Sequence, residues 1–170
     1  MRNLILSWNS YSWIKYCSGL IMRNPQDFQV IIICNDNNLP IAKLPQLCQE
    51  ARYMQRSFDL AKAGKELGIK KLANLRYNDG KIDLNRLVVQ LSLIIQTSGI
   101  STLYYQYNRL LDSIVKPIMS IEKYAFGGCL EPKIHIELTM QEYQRKLGII
   151  NNLVGLYEDD NLIPVVEMFT

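Results

Sequence analysis

The sequence predicts a Rossmann-like α/β domain, a three-layer sandwich with a mostly parallel sheet between helices. Three observations carry this. Short apolar runs alternate with segments of helical periodicity along the whole chain. One run, Phe28–Cys34 (Phe-Gln-Val-Ile-Ile-Ile-Cys), is continuous and β-branched, the mark of a strand buried on both faces. Turn and cap residues bound the helical segments, so each helix can serve as a crossover between parallel strands. Ligands of such sheets sit outside the carboxyl ends of the strands, which directs attention to the loops after Ser7, Cys34, Leu75 and Tyr105.

The elements follow in order. Asn3–Ser7 is a short apolar strand, and Trp13–Arg23 a helix broken by Asn24-Pro25-Gln26-Asp27. After the Phe28–Cys34 strand, a polar loop reaches about Pro45. The next helix is long: Leu47, Ala51, Met54, Phe58 and Ala61 recur at steps of four and three, forming one apolar stripe. Gly68 suits the left-handed position that ends it. Lys71–Leu75 is a strand, Asn78-Asp79-Gly80 a turn, and Asp83 a cap for a helix with Leu84, Leu87, Val88, Leu91 and Ile95 on one side. Ser98-Gly99 closes that helix, and Ser101–Tyr105 is the next strand. A helix from about Asn108 stops near Lys116-Pro117, because proline removes a donor and clashes with the preceding turn. Lys133–Leu138 alternates as a strand with one exposed face, which turns His135 outward. Thr139 and Glu142 have capping-box spacing ahead of a last helix striped by Met140, Tyr143, Leu147, Ile150 and Val154.

At 170 residues the chain fits a single domain spanning 1–170, long enough for a substantial core. The net charge of +3 comes from scattered basic residues, with Lys70-Lys71 and Arg145-Lys146 the only adjacent pairs, which argues against a nucleic-acid binder. No segment is apolar for long enough to span a bilayer, and Asn9, Ser10, Ser12 and Lys15 interrupt the first apolar run too early for a signal peptide. Cys17, Cys34, Cys48 and Cys129 lack metal or disulfide spacing, so reduced thiols in a cytoplasmic protein are expected.

The order of elements resembles the PIG-L/LmbE-like family of zinc-dependent N-acetylglucosamine de-N-acetylases. In that family the first strand ends in Pro-His-Pro-Asp-Asp-Glu, where this chain reads Trp8-Asn9-Ser10-Tyr11-Ser12-Trp13. Ser18-Gly19 falls at the spacing of the family's Gly-Gly, and Val30–Cys34 followed by Asn35-Asp36 stands where the family has a strand ending in Thr-Asp-Gly. The best match is Arg56, Asp59, Ala63-Gly64 and Leu67-Gly68-Ile69, which keeps the spacing of the family's Arg-x-x-Glu, small pair and Leu-Gly-Ile, with Asp for Glu. Leu75 to Ile82 and Lys146-Leu147-Gly148-Ile149 resemble later pieces.

By this resemblance zinc would be held at positions 9 and 12 and after a later strand, with the general base at position 11. Here those positions are Asn9, Ser12 and Tyr11, and the later loop reads Gln106-Tyr107-Asn108-Arg109. None is an ordinary zinc ligand or a base at neutral pH. No metal, no cofactor and no catalytic residue is therefore expected.

The function implied is that of a catalytically inactive deacetylase-fold protein, binding a sugar- or nucleotide-like ligand or a protein partner, a second copy included. The alternatives are a metal-independent hydrolase or transferase acting on a sugar or nucleotide, and a structural or accessory subunit of a larger assembly, viral ones included. The candidate ligand-binding residues are Asn9, Tyr11, Ser12, Trp13, Asn35, Asp36, Arg56, Asp59 and Asn108. Plainer readings exist as well: turn residues for the asparagines, core packing for Trp13, and a surface or intra-helix ion pair for Arg56 and Asp59. Tyr11 and Arg56 are expected to be exposed, so that alanine there leaves melting unchanged. Aromatics in an open cleft would favour a ligand; aromatics buried under the loops, with apolar surface elsewhere, would favour a partner.

Overall fold

In a computed structural model of the chain, residues 2–35, 40–41, 44–78, 80–106, 108–121, 131–132, 135–153 and 166–168 are described; among these, the side chains of 35, 131–132, 135–136 and 166–168 are not. The order is β1 (Asn3–Ser7), α1 (Ser12–Arg23), a 3-10 turn (Pro25–Asp27), β2 (Phe28–Asn35), α2 (Gln49–Leu67), β3 (Lys71–Asn78), α3 (Leu84–Ser98), β4 (Thr102–Tyr105), α4 (Arg109–Ile121), β5 (Glu131–Pro132), β6 (His135–Glu137), α5 (Met140–Asn151) and β7 (Val166–Met168). Strands β3-β2-β1-β4-β5 form one sheet in that order, every pair parallel. A separate antiparallel ribbon pairs β6 with β7.

The period of two along the inner strands builds both layers of core. Leu4 and Leu6 of β1, Ile31 and Ile33 of β2, and Leu103 and Tyr105 of β4 face α3 and α4. Ile5, Val30, Ile32 and Tyr104 face α1, α2 and α5 on the other side. The Val30–Cys34 stretch is thus apolar throughout because both of its faces are covered. Helices on two sides of a parallel sheet make the three-layer sandwich, as expected.

Local signals acted as read. Gly68 and Gly99 take left-handed φ values of 74° and 64° behind α2 and α3. Asp83 accepts a hydrogen bond from the Arg86 N–H at 3.1 Å, and Thr139 with Glu142 completes a capping box on α5. The Arg23 side chain then clamps α1 to α5, donating to Glu142 Oε1 at 3.0 Å, to Glu142 Oε2 at 3.1 Å and to the Glu137 carbonyl at 2.6 Å. Arg23 foremost, with the Thr139 N–H, holds the Glu142 carboxyl below its usual range.

Four expectations differ. Helix α4 runs through Pro117 to Ile121 instead of stopping there. Pro117 is exposed, and Leu111, Ile114, Val115 and Ile118 are buried along one face, so packing of Ile118 outweighs a proline penalty of about 3 kcal/mol. Strand β3 is eight residues long, extending past Leu75 to Asn78 with a register shift opposite β2. The stripe of α2 is on the wrong side: Met54 and Phe58 are exposed, Phe58 by 64%, and the buried side carries Arg56, Asp59, Leu60, Ala63, Gly64 and Leu67. Small Ala63 and Gly64 explain it, because they let the helix backbone approach the sheet, where Leu72 lies 3.9 Å from a Cβ placed on Gly64. In α5, likewise, Met140 is exposed while Lys146, Ile149 and Ile150 are buried. Val154 and the His135 side chain lie outside the described residues.

Candidate functional site

Strand order reverses at β1, whose crossover leads to β2 on one side while β4 pairs on the other. The crevice outside the carboxyl ends of β1 and β4 is where a doubly wound sheet binds its ligands. The Trp8–Ser12 turn follows β1, and Gln106 and Asn108 follow β4. The turn is anchored to β2, since the Cys34 N–H donates to the Trp8 carbonyl at 2.8 Å.

Within that turn the polar groups satisfy one another. Asn9 Oδ1 accepts from the Tyr11 N–H at 3.2 Å, the Ser12 N–H at 2.9 Å and the Ser12 hydroxyl at 2.7 Å. These bonds occupy the amide oxygen and tie the first turn of α1, whose amides have no partner inside the helix. Ser7 Oγ donates to the Asn9 carbonyl at 2.6 Å and accepts from the Trp13 N–H at 3.1 Å. The Trp13 indole N–H donates to the Ser10 carbonyl at 2.9 Å, and the ring is 1% exposed. Trp8 is buried too. The aromatic cluster of this turn is therefore packing.

Tyr11 reaches further. Its hydroxyl donates to Asp59 Oδ2 at 2.7 Å, and Gln55 Nε2 donates to Asp59 Oδ1 at 3.2 Å. Asp59 is 3% and Arg56 6% exposed. Neither residue is at the surface: the side of α2 facing the sheet carries both inward, three positions apart on one helix. A buried carboxylate needs such donors, because leaving it unsatisfied costs several kcal/mol. Tyr11 is half-buried and holds one of those bonds, so it and Arg56 belong to the stability of the fold, against the expectation that alanine there would be silent.

Asn108 Oδ1 accepts from the N–H groups of Leu110 at 2.8 Å and Leu111 at 3.3 Å, which makes it the cap of α4. Of the nine candidate residues, the fold brings Asn9, Tyr11, Ser12, Trp13 and Asp59 into one hydrogen-bonded unit and buries Arg56 beside Asp59 on α2. The Asn35 side chain and Asp36 lie outside the described residues. Sequence reasoning missed Gln55, although its spacing of four from Asp59 on one helix is a recognisable signal. It also missed Ser7 and Gln106, for which no local pattern exists. Gln106 Oε1, at the end of β4, is shielded from solvent and has no hydrogen-bond partner among the described residues.

The donor set does not fit the zinc that the resemblance implies. Zinc takes three or four imidazole, thiolate or carboxylate ligands converging on one point. The turn offers an amide oxygen bonded three times over, a hydroxyl spent on that amide, and a phenol that donates its hydrogen bond to Asp59. Phenols in general are not bases at neutral pH either. Among the described residues, no three His, Cys, Asp or Glu side chains gather as a metal would require.

The fold itself is known. N,N'-diacetylchitobiose deacetylase from Pyrococcus horikoshii, solved with an inhibitor, matches 94% of this chain over 72% of its own length, with a TM-score of 0.75 and 12% identity. A deacetylase of the teicoplanin biosynthesis pathway, in complex with teicoplanin, matches 95% of this chain and 90% of its own with a TM-score of 0.66 and 8% identity. GalB, the 4-carboxy-2-hydroxymuconate hydratase of Pseudomonas putida KT2440, matches 97% of this chain and 82% of its own with a TM-score of 0.67 and 14% identity. No family model matches the sequence, and no curated protein matches it by sequence. Deacetylases and a hydratase on one architecture show that the fold leaves the reaction open. The chain has the fold of the PIG-L/LmbE-like deacetylases, the architecture that its sequence resembles.

Proposed function

We propose that this chain is a catalytically silent protein of the deacetylase fold that serves as a partner-binding, accessory subunit. One observation carries the reading: the Asn9–Trp13 turn, where the resemblance puts the catalytic motif, spends its polar groups on capping α1 and on holding Asp59. Nothing in that turn can activate water at neutral pH. The aromatics agree. Trp8 and Trp13 are packed, whereas apolar side chains stand exposed elsewhere, Met54 and Phe58 on α2 and Val89 and Leu93 on α3. Buried aromatics with apolar surface elsewhere are the pattern of a partner-binding protein.

The test is an acetate-release assay on N-acetylated sugars, with and without added zinc, alongside thermal melting. No acetate is expected, and no rise in Tm with zinc. A native zinc site at a hundredfold excess over its Kd would add about 2.7 kcal/mol. In a chain of this length that is a rise of about 5–10 °C. Acetate released above background, and lost in Tyr11→Phe, would sink the reading.

A second reading, a sugar- or nucleotide-like ligand in the crevice, is favoured by Gln106, whose shielded amide oxygen could accept from such a ligand's hydroxyl or amine. Ligand-observed NMR with monosaccharides and nucleotides would report it, with loss of the signal in Gln106→Ala.

A further inference from the structure

We infer that the outer face of α3, with the end of β3, is a docking surface for an acidic, amphipathic segment of a partner protein. The inference rests on the partner-binding reading and gives that reading a location and a chemistry.

On α3, Leu87, Val88, Leu91 and Ile95 enter the core, while Val89 and Leu93 lie outside among polar Asn85, Arg86 and Gln90. Val89 and Leu93, one turn apart, stand 56% and 57% exposed. They line a depression of about 520 Å³ with Asn85, Arg86 and Gln90. Arg86 and Gln90 also line a second depression of about 360 Å³, whose walls include Tyr77, Asn78 and Lys81 at the end of β3. The two are therefore contiguous, one apolar and one polar. Strand β3 is the sheet's edge, so the polar depression lies at its rim. The Tyr77 hydroxyl donates to Gln90 Oε1 at 2.7 Å and fixes the amide between the two halves.

Charge decides what fits. Arg86 is the only charged residue of α3, and it and Lys81 are exposed at the end of the helix where the macrodipole is positive. Asp83, the nearest described acid in sequence, caps the helix through the Arg86 N–H and is exposed too, so the two cations outnumber the described acids at this end two to one. Arg76 is a lesser contributor, since its guanidinium lies over the Tyr53 ring, 5.5 Å from the centroid. The face thus presents an apolar stripe with a cationic end. Its complement is a segment with Leu-type side chains at helical spacing and Asp or Glu at one end.

Other occupants fit less well. A second copy would offer the same cations, and like charges facing each other oppose association. Nucleic acid would use Arg86 and Lys81 but not the Val89–Leu93 stripe. A small molecule would be poorly enclosed, because binding pockets bury most of their ligand and these side chains are more than half exposed.

The experiment uses the full chain and a fluorescein-labelled synthetic peptide of about 16 residues, roughly four helical turns, with Leu at i, i+4 spacing and Glu at one end. Controls are the same peptide with Lys for Glu and a scrambled order. Anisotropy should show binding of the Glu peptide, weakened by salt and by about tenfold or more in Lys81→Glu/Arg86→Glu and in Val89→Ser/Leu93→Ser. Both variants alter exposed residues and should melt like the parent protein. Equal affinity for the Lys or scrambled peptide, or indifference to both double variants, would overturn the inference. So would a homodimer in sedimentation that Val89→Ser/Leu93→Ser dissolves, or poly-U RNA competing as well as the peptide does. A peptide that fails to bind while no acetate is released refutes this surface alone; acetate release refutes the partner reading whatever the peptide does.

Discussion

Replacing Asn9 by alanine separates a structural from a functional use of the turn after β1. The change deletes the one oxygen that accepts from the Tyr11 N–H, the Ser12 N–H and the Ser12 hydroxyl. Three hydrogen bonds at about 0.5–1.5 kcal/mol each would sum to about 1.5–4.5 kcal/mol. That sum is too large, because Asn9 is half-buried and water can reach part of what it leaves behind. The loss of a helix-capping side chain, about 1–2 kcal/mol, is the better measure. For a chain of 170 residues this lowers Tm by about 2–8 °C. Asn9→Asp keeps an oxygen in the same place and complements the positive helix end, so its Tm should stay close to the parent's. Differential scanning calorimetry of the three proteins is the assay. An unchanged or higher Tm in Asn9→Ala would refute the reasoning, since residues kept for binding often cost stability and gain it on removal.

Two further outcomes are expected. Ile32→Asp should give no cooperatively melting soluble protein, because Ile32 is fully buried in an inner strand and an unpaired carboxylate there costs several kcal/mol; a folded Ile32→Asp protein would show the sheet to be wrongly drawn. Acid should weaken the clamp between α1 and α5. Glu142 is held below its ordinary value of 4.5, chiefly by the Arg23 hydrogen bonds. A depressed carboxyl contributes stability above its unfolded pKa and loses it as pH falls through the folded one. The Tm difference between the parent and Arg23→Ala should therefore shrink as pH drops from about 7 to about 3. Because the pair is at the surface, the difference is modest, about 1 kcal/mol or less at its largest. A gap that does not change with pH would show that Arg23 acts through packing.

Much of the fold was legible because its signals are local. The apolar run of β2, the caps at Asp83 and Thr139 and the glycine stops at Gly68 and Gly99 each depend on residues within about one turn of one another. Periodicity established that α2 is a helix but not which side it buries. Two stripes were available, and the apolar one, with Met54 and Phe58, ended up outside. The sheet took the side with Ala63 and Gly64, which permits close approach, and accepted Arg56 and Asp59 with it. Pro117 shows the same limit, since a local penalty was outweighed by the burial of Ile118. The candidate site divides along this line. That the turn after β1 lacks ligands for zinc could be read from Asn9, Tyr11 and Ser12 themselves, because ligand chemistry belongs to the side chain. That Tyr11 would spend its hydroxyl on Asp59, 48 positions away, could not, for only the packing of α2 against the sheet brings the two together.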